Sequence, residues 1–178
     1  MNIPWIDLSA QHRSLRPEII QAINDILDRC DFILGQDVTK LEEEYANYCG
    51  TKYAVGVDSG LSAIELSLRA LGIGFGDEVI VPAHTFTATA AAVTFSGAKP
   101  VFVDADPVTW NIDVEQIEAA ITPRTKAIVP VHLYGLPVDM DKVLELADKH
   151  GLMVVEDAAQ AHGAKYKGKR TGSMGDAG

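Results

Sequence analysis

The sequence predicts an α/β fold of three layers, a mainly parallel sheet between two layers of helices, and three observations carry that expectation. Short β-branched runs at 53–57, 78–82, 100–104, 126–131 and 152–156 alternate with segments of helical period or helical length, and strands joined by such crossovers run parallel. The runs at 127–131 and 152–155 are nearly continuous in apolar residues, as strands covered on both faces must be. No repeat, low-complexity tract or linker interrupts the pattern, so the 178 residues read as one continuous unit.

In chain order, Leu15, Ile19, Ile23, Ile26 and Leu27 mark a first helix with Pro17 near its start, and Val38, Leu41 and Tyr45 mark a second that closes at Gly50. These two precede the sheet and make residues 1–50 a helical segment. After the strand at 53–57, Leu61, Ile64, Leu68 and Leu71 recur at three- and four-residue steps, with Gly72 as the stop. Strands at 78–82 and 100–104 flank a helix-length stretch. Val114, Ile117 and Ile121 then give a short helix before the strand at 126–131. Met140, Val143, Leu144 and Ala147 give another, ending at Gly151 before the strand at 152–156.

With 47% hydrophobic residues the chain has enough apolar material for one sizeable domain. Fifteen Lys+Arg against 25 Asp+Glu give a formal charge of -10, which argues against a nucleic-acid groove or an anionic membrane surface. An anionic ligand therefore needs a local pocket. No run approaches the roughly 18 apolar residues of a membrane span, and Met1-Asn2-Ile3-Pro4 lacks the charged-then-apolar order of a secretory signal, so a cytoplasmic location is expected. Cys30 and Cys49 lack CxxC spacing and read as buried thiols rather than a disulfide or metal site.

Ligands of open parallel sheets bind beyond the carboxyl ends of the strands. After 53–57 comes Asp58-Ser59-Gly60-Leu61-Ser62-Ala63, small polar residues opening a well-patterned helix. Its free N–H groups suit a phosphate, and Asp58 or Ser59 suits an ordinary N-cap. Pro82-Ala83-His84-Thr85-Phe86-Thr87-Ala88-Thr89 places an aromatic and several hydroxyls at the same rim; Phe86 is either a stacking platform for a flat ligand or core. At 153–164, Glu156 and Asp157 end an apolar strand, and strand alternation sends them to opposite faces, so at most one enters a given cleft. A carboxylate there can hold a cationic ring nitrogen, a metal or a histidine, or cap a following helix. Asp104-Ala105-Asp106 resembles the first motif of haloacid-dehalogenase-type phosphotransferases, although Asp and Pro are also common turn formers. The glycines at 72–76 follow a helix rather than a strand, which excludes a dinucleotide fingerprint; a P-loop and a G-x-S-x-G elbow are both absent.

Five segments, Phe32-Ile33-Leu34-Gly35, Ser59-Gly60-x-Ser62-Ala63, Gly76-Asp77-Glu78-Val79-Ile80, Val131-His132-Leu133-Tyr134-Gly135 and the run from Glu156 to Ala164, together resemble the DegT/StrS-type sugar aminotransferases, in order over essentially the whole chain. These are type I pyridoxal-phosphate enzymes of the aspartate-aminotransferase fold. The resemblance implies a pyridoxal 5'-phosphate cofactor, a nucleotide-diphosphate-linked keto-sugar (3-keto or 4-keto-6-deoxyhexose) as substrate, glutamate as amino donor, a homodimer and a role in amino-sugar biosynthesis such as that of lipopolysaccharide. It implies that Asp157 pairs with the ring nitrogen, Gln160 donates to the phenolic oxygen, Phe86 stacks on the ring, and Gly60, Leu61 and Ser62 bind the phosphate. The family usually has Thr where Leu61 stands, which removes a hydroxyl but not an N–H.

The same resemblance implies that residues 51–178 are a cofactor-binding large domain incomplete at its C-terminus, in a chain roughly twice as long, with the small C-terminal domain absent. The catalytic lysine then lies beyond Gly178, no lysine of the Lys165-Tyr166-Lys167-Gly168-Lys169 hairpin replaces it, and the 178 residues alone are expected to be inactive. The strand at 53–57 is expected to stand without its neighbours, because in the related fold the sixth and seventh strands separate it from the rest. A dehydratase of the same family, with histidine in place of the lysine, and a non-catalytic homologue are the alternatives within the resemblance.

Overall fold

The computed structural model describes residues 4–178. Two helices come first, α1 (Ser9–Arg29) and α2 (Gln36–Cys49), followed by α3 (Gly60–Ala70), β1 (Glu78–Pro82), α4 (Thr87–Ser96) and β2 (Lys99–Val103). Then come α5 (Val114–Ala120), β3 (Thr125–Ile128), a single 3-10 turn (Leu133–Gly135), α6 (Met140–His150), β4 (Met153–Val154) and a hairpin of β5 (Lys165–Tyr166) and β6 (Lys169–Arg170).

The sheet has the order β2-β1-β3-β4 and every pairing in it is parallel. Side-chain alternation divides its strands between two cores. Val79, Val81, Ala127, Val129 and Val155 face one way and pack with Ile64 and Leu68 of α3 and Ala92 and Val93 of α4. Ile80, Val103, Ile128 and Val154 face the other way, onto Ile117 of α5 and Met140, Val143 and Ala147 of α6. This is the expected α/β/α sandwich with a parallel centre.

Beyond β4, Val155 bridges Ala177 in parallel and the Glu156 N–H donates to the Ala177 carbonyl at 2.8 Å, so the final residues begin to add alongside β4. Gly175 is needed for that approach. A Cβ there would stand 2.5 Å from the Val154 carbonyl oxygen. At the opposite end of the sheet the buried Glu78 receives the Thr122 hydroxyl (2.5 Å) and the Arg124 guanidinium (2.6 Å), which fastens β1 to the start of β3 and holds its carboxyl below the usual range.

Several expectations need correction. The run at 53–57 forms no strand; Gly56 N–H donates to Glu42 Oε1 at 2.7 Å, but no ladder partner exists among the described residues, so the sheet has four strands and not five. The β-branched pattern was correct for a strand, yet a strand exists only through its partners. Cys30 is exposed and Cys49 half-buried, not buried thiols, because α1 buries none of its side chains and α2 only Ala46. Pro17 lies inside α1 rather than near its start, since the helix begins a turn and more earlier, at Ser9. α4 shows no hydrophobic period in its sequence because its buried stripe, Thr89, Ala92, Val93 and Ser96 at helical spacing, includes two hydroxyl residues, while its exposed side carries Phe95 beside Thr87 and Thr94.

Candidate active site

The loops that leave the carboxyl ends of β1, β3 and β4 converge with the start of α3. Asp157 follows β4 and is fixed at the backbone: its N–H donates to the Pro130 carbonyl (2.9 Å) and its carbonyl accepts from His132 N–H (3.0 Å). Its carboxylate is oriented by two donors, the Thr89 hydroxyl on Oδ2 at 2.8 Å and Ala159 N–H on Oδ1 at 3.2 Å. Thr89 lies fully buried in the first turn of α4. Because its proton goes to Asp157, its contact with Thr85 Oγ1 at 3.1 Å is one in which Thr85 donates. A hydroxyl relay thus runs from the loop after β1 to the acid after β4.

Glu156, one residue earlier, points the other way and is buried. Its carboxylate accepts from His132 Nε2 (2.9 Å), Gly172 N–H (2.9 Å), Met174 N–H (2.6 Å) and Gly175 N–H (2.8 Å). His132 Nδ1 accepts from Val138 N–H at 3.1 Å, so the proton of a neutral ring is on Nε2 and faces the carboxylate. Burial pushes the Glu156 carboxyl up, but the bonds from His132, Gly175, Gly172 and Met174 outweigh it and hold the group below the usual carboxylate value of 4.5.

Gln160 is exposed, and its Oε1 accepts from Tyr134 N–H at 2.8 Å. A backbone N–H can only donate, so the amide orientation is decided and the Nε2 donors are left to face outward. At the start of α3, Ser59 is the N-cap. Its hydroxyl accepts from Ser62 N–H (3.2 Å) and donates to Ser62 Oγ (3.1 Å). The N–H groups of Gly60 and Leu61 have no protein acceptor among the described residues, and a Cβ at Gly60 would meet open space.

A cavity of about 170 Å³ lies between this helix start and the end of β4, lined in part by Gly60, Ala63, Ile64, Asp157, Ala158 and His162. It brings together Gly60 and Asp157 of the sequence-predicted set. Leu61, Ser62, Phe86 and Gln160 are outside its lining; Leu61 packs on the core, and Phe86 is the 72% exposed N-cap of α4. A second cavity of about 380 Å³, at the amino ends of the strands, includes Glu78, Lys99 and Arg124, whose charges already pair with one another.

The donor set suits pyridoxal phosphate: an oriented carboxylate for a ring nitrogen, an amide with free donors, and helix-start N–H groups for a phosphate. The rival acidic motif is accounted for by local structure. Asp106 accepts from Val108 N–H, Thr109 N–H and the Thr109 hydroxyl as a turn former, and no group of side chains able to hold a metal occurs among the described residues. Lys165, Lys167 and Lys169 are all exposed on the hairpin, with Lys167 paired to Asp141.

A family model described as the DegT/DnrJ/EryC1/StrS aminotransferase family matches residues 13–178. The chain belongs to that family. Its aminotransferases use pyridoxal phosphate. A UDP-N-acetyl-3-dehydro-alpha-D-glucosamine 3-aminotransferase from Acidithiobacillus ferrooxidans is 56% identical over 99% of this chain and 48% of its own length. A pleiotropic regulatory protein from Geobacillus stearothermophilus is 52% identical over 99% of the chain and likewise 48% of its own. Among solved structures, DesV from S. venezuelae superposes with a TM-score of 0.94 at 53% identity, covering 96% of this chain and 46% of that one. The chain spans about half the length of the relatives it matches.

Sequence reasoning missed Thr85, Thr89 and the His132–Glu156 pair. For Thr89 a signal existed: a hydroxyl within the mostly small and apolar Thr87–Ser96 stretch must find a partner if buried. His132 carried none, because its partner is 24 residues away and becomes its neighbour only through β3–β4 pairing.

Proposed function

We propose that the protein to which this chain belongs is a pyridoxal-phosphate aminotransferase that converts a nucleotide-diphosphate-linked keto-sugar and glutamate into the amino-sugar and 2-oxoglutarate. Support for the substrate class comes from the Acidithiobacillus relative, named for a UDP-linked 3-dehydro sugar. The single observation that carries the reading is the Asp157 carboxylate, held by Thr89 and Ala159 at the same cavity that Gly60 opens onto.

Pyridoxal phosphate, when bound, supplies an electron sink that lets a proton leave the amino donor's carbon and be delivered to the sugar carbon. Asp157 would keep the proton on the ring nitrogen through a charge-assisted bond worth about 1.5–3 kcal/mol. Gln160, its oxygen occupied by Tyr134, donates from Nε2 to the phenolic oxygen. Gly60 and Leu61 N–H groups and the Ser62 hydroxyl proton hold the phosphate, aided by the helix dipole. Phe86, exposed at the N-cap of α4, would be the residue to stack on the ring. The lysine that links to the cofactor and moves the proton lies outside residues 1–178, the homodimer completes the site, and the enzyme works in the cytoplasm on amino-sugar biosynthesis.

The test uses the full-length protein with pyridoxal phosphate, glutamate and UDP- or dTDP-linked 3-keto and 4-keto sugars. Equal amounts of 2-oxoglutarate and amino-sugar are expected. Hydroxyl loss without amine transfer indicates the dehydratase instead. The relative named as a pleiotropic regulatory protein favours a second reading, a regulator without turnover. Cofactor binding with no 2-oxoglutarate formed from any of these sugars selects it.

A further inference from the structure

His84 and Trp110 stand together at the rim of the site, outside the set that holds the cofactor. Their rings lie 5.6 Å apart at 58° to one another, and the indole is 57% exposed. Trp110 has φ of 62°, a left-handed conformation that a bulky side chain adopts only when its surroundings impose it. Those surroundings are well defined. Trp110 N–H donates to the Asp106 carbonyl (2.9 Å), Asp106 N–H donates to the Asn111 carbonyl (2.8 Å), and Ala105 bridges Ile112. The buried Asn111 side chain donates to the Leu136 carbonyl (2.9 Å) and accepts from Leu133 N–H (3.1 Å), which ties this turn to the one that orients Gln160. His84 is joined to the site from the other side. It precedes Thr85, the first hydroxyl of the relay that ends on Asp157. The frame is therefore held at both ends, while the described residues leave more than half of the indole exposed.

We propose that the Trp110 indole, with His84 at its edge, is the stacking platform for the nucleobase of the nucleotide-linked substrate. This rests on the function proposed above. The strand order supplies the span: β2, which leads into the Trp110 turn, is three strand spacings from β4, which leads into Asp157, about 14 Å. A diphosphate and a ribose bridge such a distance between the reacting sugar carbon and the base, and glutamate does not. A Trp face accepts any base, because every base presents a π-face.

The experiment measures binding of free UDP and dTDP to the cofactor-loaded full-length protein by calorimetry, beside KM for glutamate. Trp110→Ala is expected to weaken nucleoside-diphosphate binding about 5- to 150-fold, the equivalent of ~1–3 kcal/mol for one stacked base. Trp110→Phe is expected to retain most of the affinity, and glutamate KM to stay unchanged in both. If the alanine variant fails to fold, His84→Ala takes its place, with a smaller loss of the same selectivity expected. Wild-type affinity in the folded alanine variant overturns the proposal, as does an equal change in glutamate KM. A change of oligomer mass in sedimentation with nucleotide binding intact also overturns it, by assigning the pair to an interface with a second copy. Failure of the wild-type protein to bind either nucleotide overturns the underlying functional reading instead, and the platform with it.

Discussion

Glu156→Gln removes a charge from the most heavily bonded side chain at the strand ends. Two donors meet each oxygen of this buried carboxylate: His132 Nε2 and Gly172 N–H on Oε2, Met174 N–H and Gly175 N–H on Oε1. A glutamine keeps one oxygen and turns an NH2 toward the other pair, leaving two donors facing a donor. His132 cannot relieve this by moving its proton, because Nδ1 is committed to Val138 N–H. At ~1–3 kcal/mol for each unsatisfied buried group, the loss of stability is about 2–6 kcal/mol. Urea unfolding of the full-length protein measures it. The pH dependence gives a second reading. The folded-state carboxyl lies below its ordinary 4.5, so its stabilisation is complete above that value and is lost as pH falls through the lowered one. Wild type should therefore lose stability in acid more steeply than Glu156→Gln. A loss under about 1 kcal/mol, less than the smallest cost of a single orphaned donor, or identical acid limbs for the two proteins, refutes the reasoning.

Asp157→Asn should weaken pyridoxal phosphate binding about 10- to 150-fold, the loss of one charged hydrogen bond, as read from a visible-absorbance titration; affinity within twofold of wild type contradicts the role. Thr89→Val deletes the hydroxyl on Asp157 Oδ2 and should weaken the cofactor roughly 5- to 10-fold with little change in volume, whereas an effect on stability alone would make Thr89 a packing residue. Leu61→Thr supplies a hydroxyl at the helix start and should tighten phosphate-dependent binding by roughly threefold, provided that its lost packing on the core does not unfold α3; unchanged affinity in the folded variant shows that a side chain at position 61 does not reach the phosphate.

The periodic elements were legible because each obeys a local rule. Leu61, Ile64 and Leu68 of α3 and Met140, Val143 and Ala147 of α6 sit at helical spacing and turn one face to the sheet. α4 was not, because its buried stripe includes Thr89 and Ser96 while Phe95 is exposed, and the run at 53–57, expected to stand without its neighbours, forms no strand at all without them. At the site, the sequence separated Glu156 from Asp157 by strand alternation alone, and the two do engage different partners. It could not say which donors each meets. Thr89 is 68 residues from Asp157 and Gly175 is 19 from Glu156, so these contacts exist only once β1, β3 and β4 are in register.

The point at which the cofactor becomes attached to the protein is the decisive observable. Full-length protein loaded with pyridoxal phosphate, reduced with borohydride and mapped by peptide mass should carry the adduct on one lysine outside residues 1–178. An adduct on Lys165, Lys167, Lys169 or any other lysine within those residues, or no adduct at all, contradicts it.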